Sequence, residues 1–332
     1  MNKLARFLAA PALAAVMGVR AESPAASPLA AEPPAQVTAD QAPPEKWPTM
    51  AEAGDPLAQA LLARAYLLGT DGKAANPKEA DAWARRSAGQ KHPLGLFLRG
   101  WCCRYDRTRL MGAREEAAKS FFGEALAADF EEHAEQGGRQ WLAVLGAAHC
   151  YGFGMPENQG DAVKCWRKAA DLGDANAMFR LGLAYAMGNG VPVDEKSALQ
   201  WYCRAAALGE TGAMVYIGKC YCGGIGVAKD AAAAVEWYRK AADQGSSDAM
   251  YFLGCCYVDG SGVPKGEPDG VKWLLKAADA GFTPAMRTLG DCCKDGRGVP
   301  IDKEEAAKWY RQAAALGDGL SEDRLKELKG AK

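Results

Sequence analysis

Among 332 residues there are only three histidines, and 40 Lys and Arg balance 41 Asp and Glu to a formal charge of -1. That balance leaves no electrostatic footprint for nucleic acid or an anionic membrane. His92, His133 and His149 do not stand at finger spacing, and neighbours such as Cys255 and Cys256 diverge by about 100° around a helix, so they cannot clamp one zinc ion together. The chain has no HExxH, no P-loop and no nucleophile elbow, and it lacks Ser-x-x-Lys, Lys-Thr-Gly and Ser-Asp-Asn. The machineries those motifs mark are therefore missing, and no cofactor or metal is expected. The apolar run from Phe7 to Val19 falls short of the roughly 20 residues of a membrane span, so no integral span is expected either.

What is present begins with an export pattern. Lys3 and Arg6 precede the apolar run, and Val19-Arg20-Ala21 forms a small-x-small cleavage site. This order is that of a secretory signal peptide over 1–21, and it predicts a periplasmic or secreted protein; the alternative is a frayed amphipathic N-terminus. Seven prolines between Glu22 and Pro48 predict an extended linker over 22–48, because such a segment has too little apolar surface to offset its ordering entropy. With 49% hydrophobic residues the chain as a whole can bury a core, expected over 49–332.

That region repeats itself. Trp201, Trp237, Trp273 and Trp309 lie 36 residues apart, and each opens a phrase such as WYRKAADQG. Upstream runs a second phrase, for example AMYFLGCCYVDGSGV. Its Ala249, Leu253, Gly254 and Tyr257 share one face of a helix A, which the paired glycines Gly260 and Gly262 stop. Asn76, Asp194, Asp230 and Asp302 begin a helix B whose Ala, Trp and Ala pair form its buried stripe. Repeat one is expected to place Ala58, Leu62, Ala63 and Tyr66 in the helix A columns with Trp83 in helix B. Repeat two has Gly100 and Cys103 with Phe122, and repeat three Ala143, Ala147, Ala148 and Tyr151 with Trp166. WPTMAEAGDP at the start and DGLSEDRLKEL at the end read as half-repeat caps, the second with Lys326 in the Gly column.

The pattern Ala-x3-Leu-Gly-x2-Tyr-x2-Gly-x-Gly-Val, then Ala-x3-Trp-x3-Ala-Ala, resembles the Sel-one-like repeat family of tetratricopeptide-like solenoids over roughly residues 47 to 328. The resemblance implies an all-α, right-handed superhelical solenoid of about seven antiparallel helix pairs, with the A helices on the concave side. It also implies a non-enzymatic scaffold that holds a protein or peptide partner. The alternative is a cell-envelope ligand-binding protein or weak hydrolase like the cysteine-rich relatives. Those relatives flank the helix B to helix A join with paired cysteines, whereas here the cysteines sit inside the helices.

Of eleven cysteines, Cys102, Cys150, Cys220, Cys256 and Cys292 are expected in one column, before the Tyr position. Equivalent positions of stacked repeats stand about 8–10 Å apart, beyond disulfide reach, so these thiols read as small core residues. Pairing of Cys150 with Cys165, or Cys203 with Cys220, stays open, as does a redox-responsive role.

The columns that vary locate the contact surface. Counting the Tyr position as zero, positions minus six, minus two and plus two share a helical face apart from the packing stripe. They give the candidate partner-binding residues Phe97, Trp101 and Tyr105; His149 and Phe153; Phe179, Leu183 and Met187; Lys219; Tyr251; and Arg287. The expected groove is aromatic in its first half and polar in its second.

Overall fold

A computed structural model describes residues 39, 42–69, 73, 76–105, 111–127, 130 and 138–330. The signal peptide expected at 1–21 and most of the linker lie outside the described residues. Sixteen α-helices and one short 3-10 turn make up the described chain, with no strand among the described residues. After α1 (Trp47–Glu52) the helices alternate as A and B partners. Repeat one is α2 (Pro56–Leu68) with α3 (Pro77–Gly89), and repeat two is α4 (Pro93–Tyr105) with α5 (Met111–Ala127). Repeat three is α6 (Arg139–Tyr151) with α7 (Gln159–Asp171), and repeat four is α8 (Ala175–Met187) with α9 (Glu195–Ala207). Repeats five and six are α10 (Thr211–Gly223) with α11 (Ala231–Asp243), and α12 (Ser247–Asp259) with α13 (Glu267–Asp279). Repeat seven is α14 (Thr283–Asp295) with α15 (Lys303–Ala315), and α16 (Gly319–Gly330) closes the array. From α1 to α5 and from α6 to α16 each helix packs on its sequence neighbours, which is the architecture of a solenoid.

Local chemistry fixes the helix ends. Asn76, Asn158, Asp194, Asp230 and Asp302 each accept two backbone N–H bonds from the first turn of a B helix, satisfying donors the helix cannot pair internally. Six of the A helices, α4 apart, stop on a left-handed residue, and Gly260 at φ 71° shows why glycine recurs there. Gly262, two residues on, lies so close to the carbonyl of Ala231 that a Cβ would overlap it. In repeats four to seven the loop after helix A thus rests on the start of the preceding repeat's B helix. A carboxylate fastens two of these contacts: Glu195 accepts from the Gly226 N–H at 3.1 Å, and Glu267 from that of Gly298 at 2.9 Å.

Three expectations need correction. The helix A glycine does receive a large side chain, but from the residue after the tryptophan rather than from the helix A Tyr or the Trp itself. Tyr202 fills the notch at Gly182, Tyr238 that at Gly218 and Tyr310 that at Gly290; Leu274 serves Gly254. These four side chains are buried, whereas Trp201, Trp237, Trp273 and Trp309 are half-buried one step around the helix. Trp201, Trp237 and Trp273 are covered instead by a cation three residues on, with Arg204, Lys240 and Lys276 standing 4.3, 4.6 and 4.0 Å from the ring centres.

Repeat three shifts by two residues. Trp166 fills the notch at Gly146, so it matches Tyr202, and Leu145-Gly146 occupy the Leu-Gly columns rather than Ala147-Ala148. His149 takes the Tyr position: its carbonyl accepts from Asn158 N–H at 2.9 Å, as that of Tyr185 accepts from Asp194 at 2.9 Å. Cys150 consequently leaves the cysteine column, and Ala148 stands in it.

The third correction concerns where packing starts. Trp47 is buried, and its Nε1 donates to the carbonyls of Ala39 at 3.0 Å and Ala42 at 3.2 Å. Residues expected in the linker therefore belong to the packed body from Ala39. At the other end Leu325 packs toward Tyr310 and Cys293 as expected of a cap. Lys326 is exposed and pairs with Asp323 at 2.9 Å.

Candidate functional site

The candidate residues lie along the A helices, and in repeats two and three they are sealed. Phe97, Trp101 and Phe153 are 0, 8 and 1% exposed. Phe97 stacks on Phe130 at 4.8 Å between ring centres, Phe153 stacks on Phe122 at 5.1 Å, and Trp101 meets Phe153 edge-on at 5.5 Å. Phe130, from the long connection after α5, supplies the ring that closes this cluster. These three candidates are core and offer no surface to a partner. His149 is half-buried in the Tyr position, away from the predicted face, and the side chain of Tyr105 lies outside the described residues.

Repeats four to six stay open. Phe179 and Leu183 are half-buried on α8, and Met187 at its end is 58% exposed. Phe179 lies 5.4 Å from Tyr216 and 5.9 Å from Tyr202, so aromatic packing fixes its angle. Lys219 of α10 holds its ammonium 4.4 Å from the centre of the Tyr216 ring and 4.9 Å from that of Phe252. Tyr251 turns toward Phe282 at 5.3 Å, against the next repeat. Arg287 is tied to Asp318, both oxygens of which accept from its Nη1 at 2.7 and 3.0 Å.

Sequence reasoning missed Tyr216 and Phe252, which sit beside the predicted positions. Val215, in the minus-six column, is buried, while its neighbour Tyr216 meets Lys219 three residues on. In repeats five and six the open face thus also takes in the residue after the predicted minus-six position. An i, i+3 aromatic and Lys pair was the available signal. Between α10 and α12 this face holds a cleft of about 420 Å³, lined by Lys219, Cys222, Gly223, Tyr238, Phe252, Cys255, Cys256, Asp259 and Ser261. A second hollow of about 480 Å³ lies between residues 42–44 and the start of α6, lined also by Leu172; it contains none of the candidates.

Beneath Phe179 lies an ionic group with no signature in the sequence. Arg64 of α2 donates from Nη2 to Asp174 Oδ2 at 2.7 Å, and each side chain is 4% exposed. Glu210, also buried, precedes α10 and feels Asp174, Arg64 and Arg180. Burial pushes its carboxyl up to about 7, aided by Asp174 and opposed by the Gly212 backbone hydrogen bond and the two arginines. Arg180 donates to the Tyr151 hydroxyl at 2.5 Å.

The cysteines stand as thiols, including those of the two pairs left open by the sequence. Burial pushes Cys255 up to about 11 and Cys256 and Cys102 to about 12. Thiolate, the nucleophilic and metal-binding form, is therefore scarce at neutral pH. Among the described residues no group of three or more His, Cys, Asp or Glu side chains could hold a metal ion, and no helix is long and apolar enough to cross a membrane.

Comparison with known proteins agrees with this architecture. The family model described as the Sel1 repeat matches residues 56–92, 142–174, 175–210, 211–246, 247–282 and 283–318. The unmatched stretch contains repeat two. A crystal structure of a Sel1 repeat protein from Oxalobacter formigenes is 30% identical, with TM-score 0.55, covering 86% of this chain and 80% of that one. A protective antigen present in uropathogenic Escherichia coli strains, displaying an SLR fold, is 26% identical with TM-score 0.52 over 86% of this chain. The matched region spans 59% of that antigen's length. Comparison with curated proteins finds no match.

Proposed function

The chain belongs to the Sel1 repeat family, and on that premise we propose that it is a non-enzymatic scaffold holding a protein or peptide segment along the A-helix face of repeats four to six. One contrast carries this reading: the rings of repeats two and three are sealed in core, whereas Phe179, Leu183, Met187, Tyr216, Lys219 and Phe252 leave a continuous apolar and cationic face partly open. Apolar groups held in place by neighbouring rings bind at a lower ordering cost than flexible ones. The proposed surface keeps the expected candidates Phe179, Leu183, Met187 and Lys219 and leaves out those of repeats two and three. The raised thiol pKa values argue against cysteine chemistry as the purpose of this face. The N-terminal export pattern supports a periplasmic or secreted location, and the partner is to be sought there.

The test is a crosslinking pull-down from the native envelope with the full chain and a Phe179→Ser/Leu183→Ser variant. The variant should keep its far-UV helicity and lose the captured band. Capture unchanged in a folded variant would move the binding face elsewhere, and an unfolded variant would identify these side chains as core. In that second case Met187→Glu, at the exposed end of the same row, carries the test.

A further inference from the structure

We infer that the cleft between α10 and α12 is a pocket for an acidic side chain of an extended peptide, with Lys219 as the group that reads it. This deepens the scaffold reading and rests on it. The argument is one of charge. Lys219 projects from the middle of α10, and its ammonium lies between the faces of Tyr216 and Phe252, 4.4 and 4.9 Å from their centres. An ammonium has three donors and no acceptor, and aromatic faces stabilise its charge without accepting conventional hydrogen bonds from those donors. Among the described residues no carboxylate stands within ion-pair distance of Lys219, although acidic groups are near.

Each nearby acid is otherwise engaged or attenuated. Asp259 is 3.8 Å from Arg297. Asp248, on the first turn of α12, feels Lys219 but is held above the usual carboxylate range by burial. The thiols of Cys255 and Cys256 are kept neutral by burial. Lys219 is thus the one cation among the residues lining the cleft, and its ammonium lies against aromatic walls.

That combination selects its occupant. A carboxylate entering the cleft gains a charge-assisted hydrogen bond from an ammonium already partly stripped of water. The Phe252 and Tyr216 rings cover the aliphatic stem or an apolar neighbour of the same peptide. A neutral amide of equal shape gains the apolar contact and little of the charge interaction. A basic residue meets a like charge. The volume of about 420 Å³ admits one or two side chains and not a folded domain. The cleft accordingly reads a position in a segment rather than a surface.

Two fluorescein-labelled peptides test this with the full chain: Gly-Leu-Glu-Leu-Gly amide and the same peptide with Gln for Glu, titrated by fluorescence anisotropy. The wild type should bind the Glu peptide at least about five-fold more tightly, with a preference that shrinks as salt rises. Lys219→Met should abolish the preference and Lys219→Arg should keep it, each with unchanged far-UV helicity. Phe252→Ala should weaken both peptides together. Equal affinities for the two peptides in the wild type, no binding of either, or a preference that survives Lys219→Met, would each overturn the assignment. If partner capture still depends on Phe179 and Leu183 in that event, the acidic pocket fails alone. If capture is also indifferent to them, the reading of the whole face fails.

Discussion

Arg64 and Asp174, 110 residues apart, form a 2.7 Å ion pair that joins helix A of repeat one to the turn before helix A of repeat four. The pair crosses repeats two and three, and both side chains are almost wholly withdrawn from water. Asp174 has a second duty, since its Oδ1 also caps α8 by accepting from the Ala177 N–H at 2.8 Å.

Removing the cation alone should therefore be costly. Arg64→Met leaves Asp174 buried without its partner, and the expected loss is about 3–5 kcal/mol. Arg64→Met/Asp174→Asn should recover part of it, because Asn keeps a capping oxygen and carries no charge. Chemical denaturation of the two variants measures both values. Equal stabilities for Arg64→Met and wild type would show the pair to be idle.

Glu210 gives the protein a pH dependence of unusual sign for an acid. Its folded pKa of about 7 lies above the ordinary 4.5, so the folded state holds the proton more tightly than the unfolded state does. Its contribution is fully present below pH 4.5 and is lost as pH rises through 7. Glu210→Gln should flatten this part of the stability profile, and at pH 8 it should stabilise the chain by on the order of 2–3 kcal/mol. Thermal melts from pH 4 to 8 decide it; parallel profiles for variant and wild type would place the pH dependence on other groups.

The notch at Gly182 predicts a coupled pair. A Cβ there runs into the Tyr202 ring, so Gly182→Ala should cost about 1–3 kcal/mol through overpacking, and Tyr202→Ala about 3–5 through the cavity it leaves. The double variant should cost less than the two together. Repeat one already has this solution, with Ala63 and Ala84, both buried, at the equivalent positions. Denaturant midpoints of the four proteins in the cycle give the coupling, and strict additivity would contradict the notch.

Thiol accessibility separates packing from chemistry. With Cys102, Cys255 and Cys256 raised to about 11 or 12, the native protein should react slowly with a disulfide reagent at pH 8. Under denaturing, non-reducing conditions all eleven cysteines should titrate. A denatured count below eleven would reveal disulfides and restore the pairings of Cys150 with Cys165 or Cys203 with Cys220.

The repeat, the helix alternation and most caps were legible in sequence because they depend on local chemistry. Asp194 announces a helix start by its own carboxylate, and Gly260 a helix stop by its own backbone freedom. The candidate face was legible only to within a residue. Neighbours such as Val215 and Tyr216 differ by about 100° around the helix, and apolarity does not say which one turns to solvent. The same ambiguity hid the exchange of Trp201 for Tyr202 in the core. In repeat three the aligned alanines favoured a register two residues off, and only the Gly146 notch against Trp166 resolves it. The sealing of Phe97, Trp101 and Phe153 was out of reach, since it depends on Phe130 from an insertion with no counterpart elsewhere. Arg64 with Asp174 was further still: nothing local marks a contact across 110 residues.

A solenoid held only by neighbour contacts behaves as a one-dimensional chain, in which any repeat can fray without consulting a distant one. The Arg64 to Asp174 pair adds a long-range term to that chain, and it does so in the N-terminal half alone. Toward the other end the ties run between adjacent repeats, as Glu267 to Gly298 and Arg287 to Asp318 do. Amide exchange should therefore divide the molecule in two: repeats one to four opening together as a single cooperative block, and repeats five to seven shedding protection progressively from the C-terminal end.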